Sequence, residues 1–227
     1  GSGFENHSKY GGAIYSYVLG KEMMNINLYI PSVLTWKEKS LKLRMTTDYP
    51  EHGKVVIKLE ETSKEPLTIN LRRPVWAAGD VAIRINGSKQ KVESVPGSFI
   101  SLHRKWKKND VIELILPMPL YTVSMPDNVD RRAVFYGPTI LAGTFGTEKR
   151  KMGDIPVFVS EEKSLTNYIK KISDTSVSFV TTLPGGPDNV KMLPFYKVAD
   201  ENQTVYWDVY SPAEWNVVEE KRKAELE

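Results

Sequence analysis

Short segments in which apolar and polar residues alternate run through the first part of the chain. Alternation with a period of two places the apolar side chains on one face of a β-strand. The clearest segments are LKLRMTT (41–47), KVVIKLE (54–60), LTINLR (67–72) and VAIRI (81–85), each bounded by turn residues. Asn86-Gly87 follows the fourth segment directly. This pair predicts a type I′ hairpin turn, because both central positions of that turn need positive φ.

The rest of the chain supports a mainly β fold. Further strands are predicted from Asn25 onward and at 98–102, 111–116, 120–125 and 131–141. The chain has 5 Trp, 11 Tyr, 7 Phe and 14 Pro among its 227 residues, which favours strands separated by turns over a helical bundle. We therefore expect a β-sandwich with a short N-terminal helix and a second, smaller β-rich domain.

The predicted domains differ in their residue patterns. Residues 5–18 are predicted to be helical, with an apolar stripe formed by Phe4, Gly11, Ile14 and Val18, so residues 1–18 are interpreted as a helix. Residues 19–143 are assigned to the sandwich. The polar linker GTFGTEKRKMGD then leads into residues 144–227, which combine short strands, a short helix near SLTNYIKKI and a charged helical tail. This tail is interpreted as solvated.

Composition excludes several classes of function. The net charge of +3 comes from 31 basic and 28 acidic residues mixed along the chain, so no focused field for nucleic acid is expected. No apolar run approaches the roughly 20 residues of a membrane span. The chain has no Cys, which excludes disulfides, thiol nucleophiles and zinc sites with thiolate ligands within it.

Candidate catalytic residues are few. His7, His52 and His103 are scattered at spacings that metal sites do not favour, so no metal site is predicted. Glu5, beside Asn6 and His7, belongs to the only local polar cluster that looks specific, and Glu5 and His7 are the candidates. The alternative, which we favour, is a polar first turn of a helix. Carboxylates could pair as acid and base for glycoside cleavage, but the sequence alone does not pair them.

The tryptophans allow two interpretations. An exposed indole can stack against the apolar face of a sugar ring, whereas a buried one fills a core. In a strand-rich chain packing is favoured, and Trp76 and Trp106 are predicted to be mostly buried. The full set is Trp36, Trp76, Trp106, Trp207 and Trp215. The basic run HRKWKK (103–108) is interpreted as a solvated turn.

Several segments taken together resemble glycoside hydrolase family 127, the β-L-arabinofuranosidase family. In chain order they are GSGFENHSKYGGAIY, NLYIPSVLTW, TTDYP, LRRPVWA, INGSKQ, LHRKWKKNDVIELILPM and AVFYGPTILAG. LPFYKV and VYWDV resemble a C-terminal accessory domain in one branch of the family. Arg73 departs from the pattern, since an apolar residue is common there, and a changed local surface is expected. Ser2 also departs, since the family branch more often has Thr.

The resemblance implies a longer parent enzyme. In the family an (α/α)6 barrel carries a cysteine nucleophile, a zinc ion held by three cysteines and a Glu, and an acid/base Glu. None of these residues maps onto this chain, which has no Cys. By this resemblance the helix predicted at residues 1–18 is a remnant of the catalytic barrel. We therefore expect a non-catalytic C-terminal region of a bacterial glycoside hydrolase, with no cofactor of its own and zinc only in the parent.

The expected partners are the enzyme's own catalytic barrel, a glycan and a second copy of the chain. The apolar stripe of residues 4–18 is expected to be covered by the sandwich or by a second copy of the chain, and the second copy is slightly favoured. The expected role is to support the barrel and to shape substrate access or dimer contacts. A carbohydrate-binding module and an immunoglobulin-like adhesion domain remain the alternatives.

Overall fold

The computed structural model describes residues 9–18, 20–148, 155–182 and 189–224. These residues are mainly β, with a short helix near the N-terminus and a longer one near the C-terminus, as the sequence predicts. The chain divides into two compact units, Gly1–Pro119 and Leu120–Glu227.

Two sheets form the first unit. Its short N-terminal helix, α1, covers residues 9–13. One sheet has the strand order β1 (Tyr15–Tyr17), β2 (Met23–Ile26), β6 (Leu67–Arg72) and β9 (Phe99–Arg104). The other has the order β3 (Ser32–Trp36), β4 (Leu41–Thr47), β5 (Lys54–Glu61), β10 (Val111–Ile115), β7 (Ala82–Ile85) and β8 (Ser88–Gln90). Neighbouring strands run antiparallel except β2 and β6, which run parallel.

The core of the first unit lies between these sheets, which makes the unit a sandwich. Alternate residues of each strand enter one apolar cluster, such as Ile69 and Leu71 from β6 and Val55, Ile57 and Leu59 from β5. All five are fully buried. The apolar residues of each alternating segment therefore form the face of the strand that points into the core.

Several strand predictions are confirmed. The structure begins and ends β4 and β6 at the predicted residues. Asn86 and Gly87 connect β7 and β8 with φ of 51° and 80°, and Ile85 pairs with Ser88 across this turn. The predicted hairpin turn is thus present.

The N-terminal prediction is wrong in its extent. Within the described residues the helix ends at residue 13, and Tyr15–Tyr17 form β1, paired with β2. Of the expected apolar stripe, Phe4 lies outside the described residues, Gly11 and Val18 are exposed, and Ile14 is buried in the sandwich core. Ile14 is therefore covered by its own unit. Association of copies through the rest of this segment stays a prediction.

The second unit is built on one mixed sheet. Its main strand order is β14 (Val157–Val159), β19 (Tyr206–Tyr210), β12 (Arg131–Tyr136), β13 (Thr139–Thr144), β17 (Lys191–Pro194), β16 (Phe179–Thr181) and β15 (Ile169–Lys171). β11 (Leu120–Ser124) pairs with β12, and β18 (Gln203–Thr204) pairs with β13. A 3-10 helix, Leu165–Tyr168, stands where a short helix is predicted, and α2 spans Pro212–Ala224.

The core of the second unit begins well before the predicted linker. Val134 of β12 and Leu141 of β13 pack in the same apolar cluster as Phe158, Trp207 and Val209. This is why the compact units divide between Pro119 and Leu120, whereas the sequence interpretation places the boundary at 143/144. The predicted single strand at 131–141 is wrong, because a turn at Gly137-Pro138 separates β12 from β13.

Candidate functional site

The role of the two candidate residues named from the sequence stays a prediction. Glu5 and His7 lie outside the described residues. His103 accepts or donates a 2.9 Å hydrogen bond through Nδ1 with the Thr68 hydroxyl. Among the residues that the structure describes, no group of three or more His, Asp or Glu side chains could hold a metal ion. With no Cys in the sequence, the residues present do not fit the family's zinc site.

The tryptophans separate into packing and surface positions. Trp106 and Trp207 are buried, and the Trp106 indole donates to the Leu67 carbonyl at 2.8 Å. The burial predicted for Trp106 is confirmed, so the basic run around it is anchored by a core residue. Trp76 is partly buried against the same core and stacks on Tyr49. Trp36 is likewise partly buried against this core, and it also lines an open cleft.

This cleft of about 460 Å³ lies in the first unit, between the segment that contains β1 and the segment that contains β3. All three residues of β1, Tyr15–Tyr17, and Leu34, Thr35 and Trp36 of β3 line it. Met24 of β2, which is 1% exposed, also lines the cleft. We call it the Tyr17–Trp36 cleft.

Two aromatic rings form one corner of the cleft. The Tyr17 and Trp36 ring centroids are 5.1 Å apart, and the ring planes are inclined by 35°. Tyr17 is 58% exposed, which is high for a residue within a strand. The corner therefore offers apolar ring surface to whatever enters the cleft.

Hydrogen bonds and an ion pair hold the cleft walls. The hydroxyls of Tyr15 and Ser32 are 2.9 Å apart, which ties β1 to β3. Burial raises the pKa of the Tyr15 phenol, and the hydrogen bond with Ser32 offsets part of that rise. Lys39, on the 3-10 helix Lys37–Lys39 after β3, forms an ion pair with Glu22.

The rim of the cleft is polar and carries both signs of charge. Lys21, Glu38 and Lys39 are its charged lining residues, and Thr35 and Ser16 are its hydroxyl-bearing ones apart from the tyrosines. Apolar ring surface inside a polar rim is the usual composition of a small-molecule binding site. The arrangement supports binding of a small amphipathic ligand.

The second unit contains an ion-pair cluster that serves packing. Asp208 is 1% exposed, and Arg131 binds its carboxylate with two hydrogen bonds, of 2.9 Å and 3.2 Å. Arg222 of α2 reaches the same carboxylate at 3.5 Å and lies over the Trp215 ring. Trp215 in turn stacks on Tyr210 of β19. These contacts dock the helix on the sheet.

Sequence reasoning named Trp36 as one of five tryptophans that could bind a sugar or pack in a core, but it did not identify Tyr17 or Asp208. Tyr17 carries no signal of its own, since it falls in the segment interpreted as a helix, and Trp36 is indistinguishable from the packing tryptophans. Asp208 sits within an apolar strand pattern, VYWDVY, and this interruption is the one sequence signal for a buried charge.

Comparison with solved structures relates this fold to glycoside hydrolases. The chain is 19% identical to a GH127 β-arabinofuranosidase, with a TM-score of 0.67 over 88% of this chain and 38% of that one. A GH127 β-L-arabinofuranosidase from Geobacillus stearothermophilus T6 gives 18% identity and a TM-score of 0.65 over 87% of this chain and 35% of that one. A third structure, a glycoside hydrolase, gives 21% identity and a TM-score of 0.62 over 83% of this chain and 36% of that one.

This chain thus spans little more than a third of the length of these solved chains. A search of the curated proteins found no match. The family model of the β-L-arabinofuranosidase GH127 middle domain matches residues 23–118. That segment runs from the start of β2 to just beyond β10 and contains both sheets of the sandwich except β1. Over residues 23–118 this chain is therefore similar to the GH127 middle domain of the β-L-arabinofuranosidases.

Proposed function

We propose that this chain is a non-catalytic β-sandwich region that supports the catalytic domain of a GH127-type glycoside hydrolase. The observation that carries the proposal is the match of residues 23–118 to the middle domain of that family. The shared fold over more than four fifths of the chain, together with its coverage of little more than a third of each solved chain, supports a role within a longer enzyme.

The chemistry of the chain supports the same assignment. The family resemblance implies a cysteine nucleophile and cysteine ligands for zinc, and this sequence contains no cysteine. Covalent glycoside cleavage needs a nucleophile and a proton donor within reach of one anomeric carbon. Hydrolysis is therefore assigned to another part of the parent enzyme.

The first experiment measures hydrolysis by the purified chain. Aryl β-L-arabinofuranosides and arabinan oligosaccharides are the substrates, with and without added zinc. We expect the rate of the buffer alone. Turnover above that rate, abolished by a point mutation within the chain, would refute the proposal.

The second experiment tests support of a catalytic domain in the protein encoded by the complete open reading frame around this segment. Ile57→Asp places a charge in the sandwich core, whereas the control Lys58→Asp changes the neighbouring exposed position of β5. We expect only Ile57→Asp to lower both the arabinofuranosidase activity and the thermal midpoint. A reading frame without a catalytic domain, or equal activity of the two variants, would contradict the proposal.

A further inference from the structure

We propose that the Tyr17–Trp36 cleft binds a neutral sugar residue of a glycan, with the sugar ring packed in the aromatic corner. This inference is independent of the support role, because the cleft lies within the first unit and its binding is measurable in the chain alone. It extends the glycan-binding alternative by naming the place and the residues.

The aromatic corner fits the apolar face of a sugar. A furanose or pyranose ring presents axial C–H groups on one face, and these pack favourably on the electron-rich face of an aromatic ring. The Tyr17 and Trp36 rings, with centroids 5.1 Å apart, pack against each other and together present one continuous aromatic surface on which a sugar can lie. The 58% exposure of Tyr17 leaves its ring available to such a ligand.

The polar rim fits the hydroxyls of the same ligand. Among the residues that line the cleft, Lys21 and Lys39 carry hydrogen-bond donors and Glu38 carries acceptors. Sugar hydroxyls are both donors and acceptors. Because both signs of charge line the rim, the cleft favours a neutral ligand over an anion or a cation.

The size and rigidity of the cleft fit a short glycan segment. A volume of about 460 Å³ lies toward the small end of the range for ligand sites and leaves room for one or two sugar units. The Tyr15–Ser32 hydrogen bond and the Lys39–Glu22 ion pair fix the walls before a ligand arrives. A preformed cleft loses little conformational freedom on binding.

The experiment titrates the purified chain with methyl β-L-arabinofuranoside and with a β-linked L-arabinofuranose disaccharide. Isothermal titration calorimetry gives the affinity, and ¹H–¹⁵N NMR follows the Trp36 indole resonance. The variants are Tyr17→Ala and Trp36→Ala. The matched control is Tyr196→Ala, which removes a tyrosine of similar exposure, 56%, in the second unit.

We expect saturable binding with a shift of the Trp36 indole resonance. Tyr17→Ala and Trp36→Ala should each weaken the affinity at least tenfold, roughly the loss of one strong contact, while Tyr196→Ala leaves it unchanged. Thermal midpoints of the variants verify that they are folded.

Three results would overturn the inference. They are no binding of either sugar up to its solubility limit, equal affinity of Tyr17→Ala and the control, or binding without any shift at Trp36. The first result, with the support experiment positive, would rule out the sugar site and leave the support role intact. If the chain binds the sugar but the support experiment fails, the sugar site stands and the support role is refuted.

Discussion

Arg73 shows that the surroundings of a residue determine whether its side chain lies on the surface or joins the interior. The sequence interpretation expects a changed local surface where the related pattern has an apolar residue, but Arg73 is 7% exposed, so this expectation is wrong. Its guanidinium donates two hydrogen bonds to the Ala77 carbonyl, one to that of Gly79, and two to the carbonyl and hydroxyl of Ser94. All five N–H donors are used, so Arg73 joins two loop segments from within.

Replacement of Arg73 by Met is therefore expected to destabilise the first unit. Met fills similar volume but leaves the carbonyl of the fully buried Ala77 without these donors, which we expect to cost about 3 kcal/mol in the free energy of unfolding. Urea denaturation measures the loss. The control is Arg72→Met, since the Arg72 side chain is exposed and its one described hydrogen bond is 3.4 Å long. Equal losses in the two variants would contradict the role given to Arg73.

Gly53 is required by close approach of two backbone segments. A Cβ atom at this position would lie 2.1 Å from the Leu116 carbonyl oxygen, a backbone atom that has no rotamer to change. The Gly53 carbonyl also accepts a 2.9 Å hydrogen bond from the Leu116 amide. Gly53→Ala is expected to lower the free energy of unfolding by about 2 kcal/mol.

The control for Gly53 is Gly12→Ala. Gly12 is exposed in α1, and a Cβ there would meet nothing within 4 Å. Alanine is also the better helix former, so this variant should be as stable as the parent chain or slightly more stable. If chemical denaturation gave both alanine variants the same stability, the close approach at Gly53 would be wrong.

At the scale of elements, the sequence predicts correctly those strands whose bounds depend on neighbouring residues alone. β4 and β6 are recovered to the residue because alternation and flanking turns act within each strand. The 131–141 segment is apolar throughout most of its length, so its division into two strands depends on the Gly137-Pro138 turn. Residues 5–18 satisfy a helical period, but pairing of β1 with β2 decides the conformation of Tyr15–Tyr17.

Helix α2 is present as the sequence predicts, but it is attached to the sheet and not simply solvated. Ser211 and Glu214 form a capping box, in which the Glu214 carboxylate accepts 2.8 Å hydrogen bonds from the Ser211 amide and hydroxyl. Lys163 bridges Glu214 and Asp130, each at 2.8 Å. The helix start is thereby linked to the loop that precedes β12.

This arrangement predicts a pH dependence for the docking of α2. The hydrogen bond from Lys163, with those from Ser211, lowers the pKa of Glu214 to about 2. A depressed pKa stabilises the folded state above the unfolded value of 4.5, and that stabilisation is lost as the pH falls from 4.5 toward about 2. The thermal midpoint of the parent chain should therefore exceed that of Glu214→Gln at pH 7.

The difference between the two midpoints isolates Glu214 from other carboxylates, including Asp130 and Asp208. Circular dichroism melts at pH 7, 4, 3 and 2 should show this difference shrinking across the acid range. Gln keeps an oxygen that accepts from Ser211, so the capping hydrogen bonds are matched and only the charge is removed. A difference that stays constant from pH 7 to pH 2 would show that Glu214 carries no coupled charge.

At the scale of the whole molecule, sequence reasoning reaches the fold class but not the candidate site. Tyr17 and Trp36 belong to different sheets and meet only because β1 and β3 face one cleft. No periodic pattern of apolar residues in the sequence predicts this contact. The family resemblance succeeds where spacing does not, because a series of segments in fixed order identifies a domain even when each segment alone is unspecific. Within the described residues, no helix is long and apolar enough to cross a membrane.

The position of the unit boundary gives the last prediction. In the second sheet, β12 and β13 lie between β19 on one side and β17 on the other. A fragment of residues 120–227 retains this centre, together with the fully buried Val134 and Leu141. A fragment of residues 144–227 loses both strands. Its remaining main strands then form two groups, β14 with β19 and β17 with β16 and β15, which no longer share a hydrogen-bonded strand.

We therefore expect the 120–227 fragment to fold alone and the 144–227 fragment to stay unfolded. Loss of two central strands removes the ladder hydrogen bonds of β19 and β17 and exposes Trp207 and Val209, which core burial otherwise stabilises. Circular dichroism melts and ¹H–¹⁵N NMR spectra of the two fragments test this, with residues 1–119 as the matched fragment for the first unit. If the 144–227 fragment melted cooperatively at the same midpoint as the 120–227 fragment, the boundary would lie at the polar linker. A unit that folds without β12 and β13 does not depend on these two strands.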